Sequence, residues 1–154
     1  MKDIAPHVIA RPTPSTEQQR LVNALGDFLS EFHWQWFVTA TFKYQVSEEF
    51  AKRVMKEWLT QVSPNAYAWI APEQGALGGS IHCHALAGGI VNGSRDGFGL
   101  RLRALAIKNA KRQWQRGDIQ IETYDRRRGA AWYVSKWPDA GEPFGNLQRH
   151  RRRA

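Results

Sequence analysis

The chain has 154 residues, 42% of them apolar and 12% aromatic, with seven tryptophans. That size fits one compact domain and excludes a catalytic domain joined to a motor domain, while the apolar content excludes an unstructured chain. The formal charge of +8 is unevenly spread, because residues 1–100 hold 8 Lys and Arg against 9 Asp and Glu whereas residues 101–154 hold 14 against 5.

Residues 1–14, with three prolines, read as an extended arm. Ser15 with Gln18 three positions on forms a capping-box pattern, and apolar residues at 21, 22, 25, 28, 29 and 32 predict an amphipathic helix. "WQWFVTATF" is aromatic and β-branched and predicts a buried strand. Ser47 followed by Glu48 and Glu49 marks a helix start, and Phe50, Val54, Trp58 and Val62 keep helical spacing up to Pro64. "AYAWIAPE" and "SIHCHALAGGI" flank the glycine-containing "QGALGG", the pattern of two antiparallel strands joined by a loop. "GLRLRALAIKNAKRQW" predicts a basic helix, "DIQIETY" a strand, and "RRRGAAWYVSKW" a short helix closed by Pro138. Residues 15–145 are expected to form the domain and 146–154 a mobile basic tail. The element order predicts an α+β protein: an antiparallel sheet of four or five strands with flanking helices, ferredoxin-like in kind.

In "SIHCHAL" strand alternation turns His82 and His84 to one face and Cys83 to the other. Ile81, Cys83, Ala85 and Ala87 then make a small apolar stripe suited to helix packing, and the thiol reads as a buried hydrophobe. A lone cysteine also excludes an internal disulfide and a multi-cysteine zinc site. If the two strands pair across the loop, Glu73 lies near His82 and on the same face. Two imidazoles and a carboxylate form a sensible ligand set for a divalent ion, and the nitrogens favour manganese, iron or zinc. Spacing alone leaves a metal site and a pair of hydrogen-bonded histidines both open.

Farther on, Tyr133 and Lys136 stand at i and i+3, so a phenol and an ammonium share one side of a helix, just after Arg126, Arg127 and Arg128. A phenol ionises near pH 10, so nucleophilic use needs positive charge beside it. A packed tyrosine next to a surface lysine fits the same letters. The basic C-terminal third attracts a phosphate polymer through space and gains from counterion release, a solvated basic face being the plainer alternative. No apolar run approaches the roughly 20 residues that span a bilayer, and no signal-peptide core opens the chain. A soluble, cytoplasmic protein without a membrane partner is expected.

Together, "FVTATF" (37–42), "HCHAL" (82–86) and "YVSK" (133–136) resemble, in order and interval, the HUH endonucleases, specifically rolling-circle replication initiators with a single active tyrosine. The resemblance covers about residues 34–137. It implies a sheet of about five antiparallel strands, a Mn²⁺ or Mg²⁺ ion, and nicking and joining of single-stranded DNA at a replication origin, in a plasmid- or phage-encoded protein. It further implies His82 and His84 as metal ligands with Glu73 as the upstream acidic ligand, Tyr133 as nucleophile forming a 5′-phosphotyrosine, and Lys136 as its assistant. Cysteine between the histidines and the loose Glu73–His82 interval depart from the family pattern. The arginines 126–128 and the basic helix are expected to contact the DNA backbone, which positions without reading sequence. The sequence contains no Walker A pattern, so strand opening is expected from a host or separately encoded helicase, or from a hairpin origin. Related transposases pair the tyrosine more often with glutamine, and relaxases carry theirs near the N-terminus. A non-haem iron oxygenase leaves the basic third unexplained, and a nucleic-acid-binding module without catalysis predicts metal-independent binding and no cleavage.

Overall fold

The computed structural model describes residues 17–75, 79–90 and 97–152. Its elements are α1 (Glu17–Leu29), β1 (Trp36–Thr41), α2 (Glu48–Val62), β2 (Tyr67–Gln74), β3 (Ile81–Gly88), α3 (Gly97–Gln113), β4 (Ile119–Thr123), α4 (Ala130–Val134) and β5 (Glu142–Phe144). The strands form one antiparallel sheet in the order β4-β1-β3-β2-β5. From β1 to β4 the chain runs β-α-β-β-α-β, the ferredoxin-like arrangement, so the α+β expectation holds with five strands. No helix among the described residues is long and apolar enough to cross a membrane. The expected arm, and Ser15 of the capping-box pattern, lie outside the described residues.

Both faces of the sheet are covered, which explains why β2 and β3 read as nearly continuous apolar runs. On one face Val38, Ala40, Ile70, Cys83, Ala85 and Ile121 pack under α2 and α3 through Val54, Met55, Trp58, Leu59 and Ala110. On the other, Trp69, Ala71 and Leu86 meet Leu29 of α1 and Ala131 and Val134 of α4. Each fully buried aliphatic side chain of this kind contributes about 1.5–3 kcal/mol. The Ser47 hydroxyl caps α2 as its sequence predicts, accepting from the Phe50 N–H at 3.1 Å, and the Trp58 indole donates to Ala110 O at 2.9 Å, tying α2 to α3.

Cys83 lies on the α2 face as alternation predicts, fully buried, and desolvation pushes its thiol up to about 12. Almost no thiolate then exists at neutral pH. A disulfide reagent at pH 8 is expected to leave the native protein unmodified and to titrate one thiol after denaturation; rapid native labelling would contradict the packing.

Two stretches depart from the sequence reading. The residues after β4 do not form one helix: Arg126–Arg128 make a 3₁₀ turn, Gly129 adopts φ 74, and α4 begins only at Ala130. A left-handed residue suits glycine and stops helical continuity there. The segment expected as a mobile tail is packed as far as Arg152. Leu147 is buried, His150 stacks on Tyr67 at 3.9 Å, the His33 N–H donates to His150 O at 3.1 Å, and Arg151 bridges Phe32. β5 was not expected at all. It borders β2, and Glu142 at its start faces Lys52 and Lys56, one turn apart on α2.

Candidate active site

β3 is the central strand of this site, flanked by β1 and β2. The register sets Glu73 and Thr41 on either side of His82, and Ala71 and Thr39 on either side of His84. All six side chains therefore project to the α1/α4 face. Glu73 reaches diagonally past its direct partner: its Oε2 lies 3.1 Å from His84 Nε2. The opposite nitrogen, Nδ1, lies 3.2 Å from Thr39 Oγ1.

α4 covers this cluster. Gly129 turns the chain so that Ala130, Ala131 and Val134 enter the core, and the Ser135 hydroxyl closes the helix on Ala131 O at 2.6 Å. Tyr133 and Lys136 then hang over the carboxylate from one side, as their i, i+3 spacing predicts. The phenol donates to Glu73 Oε2 at 3.2 Å, and the ammonium to Oε1 at 2.9 Å. Phe37 stacks on His84 at 6.0 Å, and the Tyr133 ring stands edge-on to both, 5.0 Å from His84 and 6.0 Å from Phe37. These rings fix the phenol in direction, since a half-buried tyrosine packed on two aromatic neighbours has few rotamers left.

The electrostatics follow from this packing. Burial pushes the Glu73 carboxyl up, but the Lys136 hydrogen bond and charge, with His84 and the Tyr133 hydroxyl, outweigh it and hold the group below its ordinary range. Burial drives His84 below its ordinary value despite the nearby carboxylate, so the ring is neutral at pH 7. Tyr133 is raised by burial and then by the charge and hydrogen bond of Glu73. An ionised carboxylate and a neutral imidazole are the forms that bind metal.

The residues fit a divalent cation in their chemistry. The Thr39 hydroxyl can donate to Nδ1 or accept from it, so it serves either tautomer and can hold Nε2 in the lone-pair form that ligates. Glu73 and His84 meet. His82 is exposed on the same face and makes no hydrogen bond to either among the described residues, where no three His, Cys, Asp or Glu are drawn together at ligand spacing.

Of the chain's four tyrosines, Tyr133 alone bonds a carboxylate among the described residues. The Tyr67 phenol donates to His33 O and is pushed up to about 12 by burial, Tyr124 is raised by burial, and Tyr44 is exposed on the β1–α2 loop. Two of the three arginines are engaged away from Glu73: Arg127 forks onto Asp125 at 3.2 Å, and Arg128 lies 3.7 Å from Glu122. Phe37 and Thr39 had no role assigned from the sequence. Their signal was parity within "FVTATF", which becomes readable only once the β1–β3 register is known.

No family model matches the chain, and neither a curated protein nor a solved structure does.

Proposed function

We propose that the protein is a metal-dependent nicking and joining enzyme for single-stranded DNA, of the HUH type, acting at a rolling-circle replication origin through Tyr133. The observation that carries this reading is the convergence of one phenol, one ammonium and one imidazole on the Glu73 carboxylate. A tyrosine, a basic group and a metal-ligand pair at one point is the equipment of phosphotyrosyl transfer, and a merely packed tyrosine needs no such company.

In this reading Glu73, His84 and His82 would hold Mn²⁺ or Mg²⁺, which would supply charge neutralisation at the scissile phosphate. Glu73 Oε2 accepts the hydrogen of the Tyr133 hydroxyl and so directs the phenolic oxygen. That oxygen attacks phosphorus, the bond to the 3′ oxygen breaks, the phenolic proton is passed to the departing oxygen, and the DNA 5′ phosphate stays on Tyr133. The reverse attack by a 3′-OH rejoins the strand without ATP, because the diester bond is conserved. Lys136, 2.9 Å from Glu73 and 5.8 Å from the Tyr133 ring centre, places positive charge where the phenolate and the phosphate develop negative charge. The basic surface of α3 adds contacts to the backbone of the strand, and a helicase supplied separately would expose it.

Incubation with labelled single strands and Mn²⁺ is expected to yield a protein–DNA adduct stable on a denaturing gel. Chelation of the metal should remove it. Binding without any adduct, on origin strands and hairpins alike, would favour the non-catalytic alternative.

A further inference from the structure

We infer that the cleft at the carboxyl end of β1 is a subsite for one unpaired base of the DNA strand. This rests on the proposed function and adds where the strand leaves the reaction centre. The cleft has a volume of about 490 Å³, and its lining includes Phe42, Lys43, Tyr44, Phe50, Gln115 and Arg116.

Its position follows from the register. Thr41 ends β1 directly beside His82, and the chain passes from there into the cleft wall. Phe42, the next residue, packs on the α2/α3 face, so a strand whose phosphate lies at His82 and Tyr133 would reach this cleft by passing round the end of β1. The wall is tied across by the Lys43 N–H donating to Arg116 O at 2.8 Å, so the β1–α2 loop and the α3–β4 connection are joined by backbone.

Its chemistry suits a nucleotide. Phe50 and Phe42 give an apolar floor, and Tyr44, 80% exposed, presents a ring that no core packing requires. Arg116 stands 5.4 Å and Arg53 5.1 Å from the Phe50 ring centre, so cations rim an aromatic surface with no carboxylate in the lining. Stacking platforms bordered by cations are how single strands are held irrespective of sequence. A second cleft, about 330 Å³ beside Trp137, has Glu48 and Asp139 in its lining, whose charge opposes phosphates. That contrast directs the strand toward Tyr44.

The test is fluorescence anisotropy of full-length protein with labelled oligothymidylate and with an abasic strand of equal length, in chelator. Tyr44→Ala is expected to weaken oligothymidylate binding about tenfold while leaving the abasic strand unchanged. Arg116→Ala should weaken both. If Tyr44→Ala binds oligothymidylate within twofold of the parent, or loses the abasic strand equally, the base subsite is overturned. Adduct formation with Mn²⁺ is scored separately. Stacking without an adduct leaves the subsite and removes the nicking reaction, and an adduct indifferent to Tyr44 does the opposite.

Discussion

Tyr133→Phe is expected to reduce covalent capture of single-stranded DNA by about 10³-fold or more, to the background of the assay, because the substituted ring keeps its place and has no oxygen to attack phosphorus. The ring contacts with His84 and Phe37 do not use the hydroxyl. Binding should therefore stay within a few-fold of the parent. Removing the hydroxyl takes one donor from Glu73 Oε2 but leaves His84 Nε2 on that oxygen and Lys136 on the other, so the cost to stability is about 1 kcal/mol. Loss of capture with binding and folding retained is thus the signature of a nucleophile. An adduct that persists in this variant, mapped to Tyr44 or another residue, would sink the assignment.

How far the letters carry toward this site differs from residue to residue. His82, His84 and Cys83 sorted onto opposite faces because alternation is a property of any strand, and Glu73 came to the same face by parity across one short loop. The finer pairing was not legible. Direct opposition joins Glu73 to His82, yet its carboxylate bonds His84, because Lys136 and Tyr133 approach from α4 and draw it along the strand. That is a tertiary effect with no local pattern. The helix carrying Tyr133 is visible as an element but not in its start, since Gly129, inside the stretch whose composition predicts one helix, is the left-handed residue that separates the two turns. β5 has only three residues and owes its place to β2 and to the lysines of α2, so no periodicity announces it. The last residues read as solvated because four arginines dominate them. Docking of His150 on Tyr67 depends on a partner some eighty residues away.

The position of α4 also rests on a residue distant in sequence from the chemistry. Gly26 in α1 faces Trp132, and a Cβ built there would lie 2.2 Å from Trp132 Cδ1 and 2.6 Å from Cγ. Contact at Cγ involves the stem of the ring, so no swing of a flexible tip relieves it. Glycine within a helix costs about 1 kcal/mol against alanine, and close approach of α1 and α4 is what that cost maintains. Gly26→Leu should regain the helix propensity and lose more to overpacking, a net destabilisation of about 2 kcal/mol. For a chain of this size the melting temperature should fall by about 4–8 °C. Trp132 adjoins Tyr133, so the displacement passes to the phenol, and a misplacement of about 1 Å costs on the order of 10²-fold in an in-line attack. Single-strand binding, assigned in the proposed reading to charge and to the β1 cleft, should hardly change. Combining Gly26→Leu with Trp132→Ala opens space for the new side chain and is expected to be less destabilising than the two substitutions added separately. A Gly26→Leu protein that melts with the parent and forms adduct at the parent rate would show that α1 does not position Tyr133.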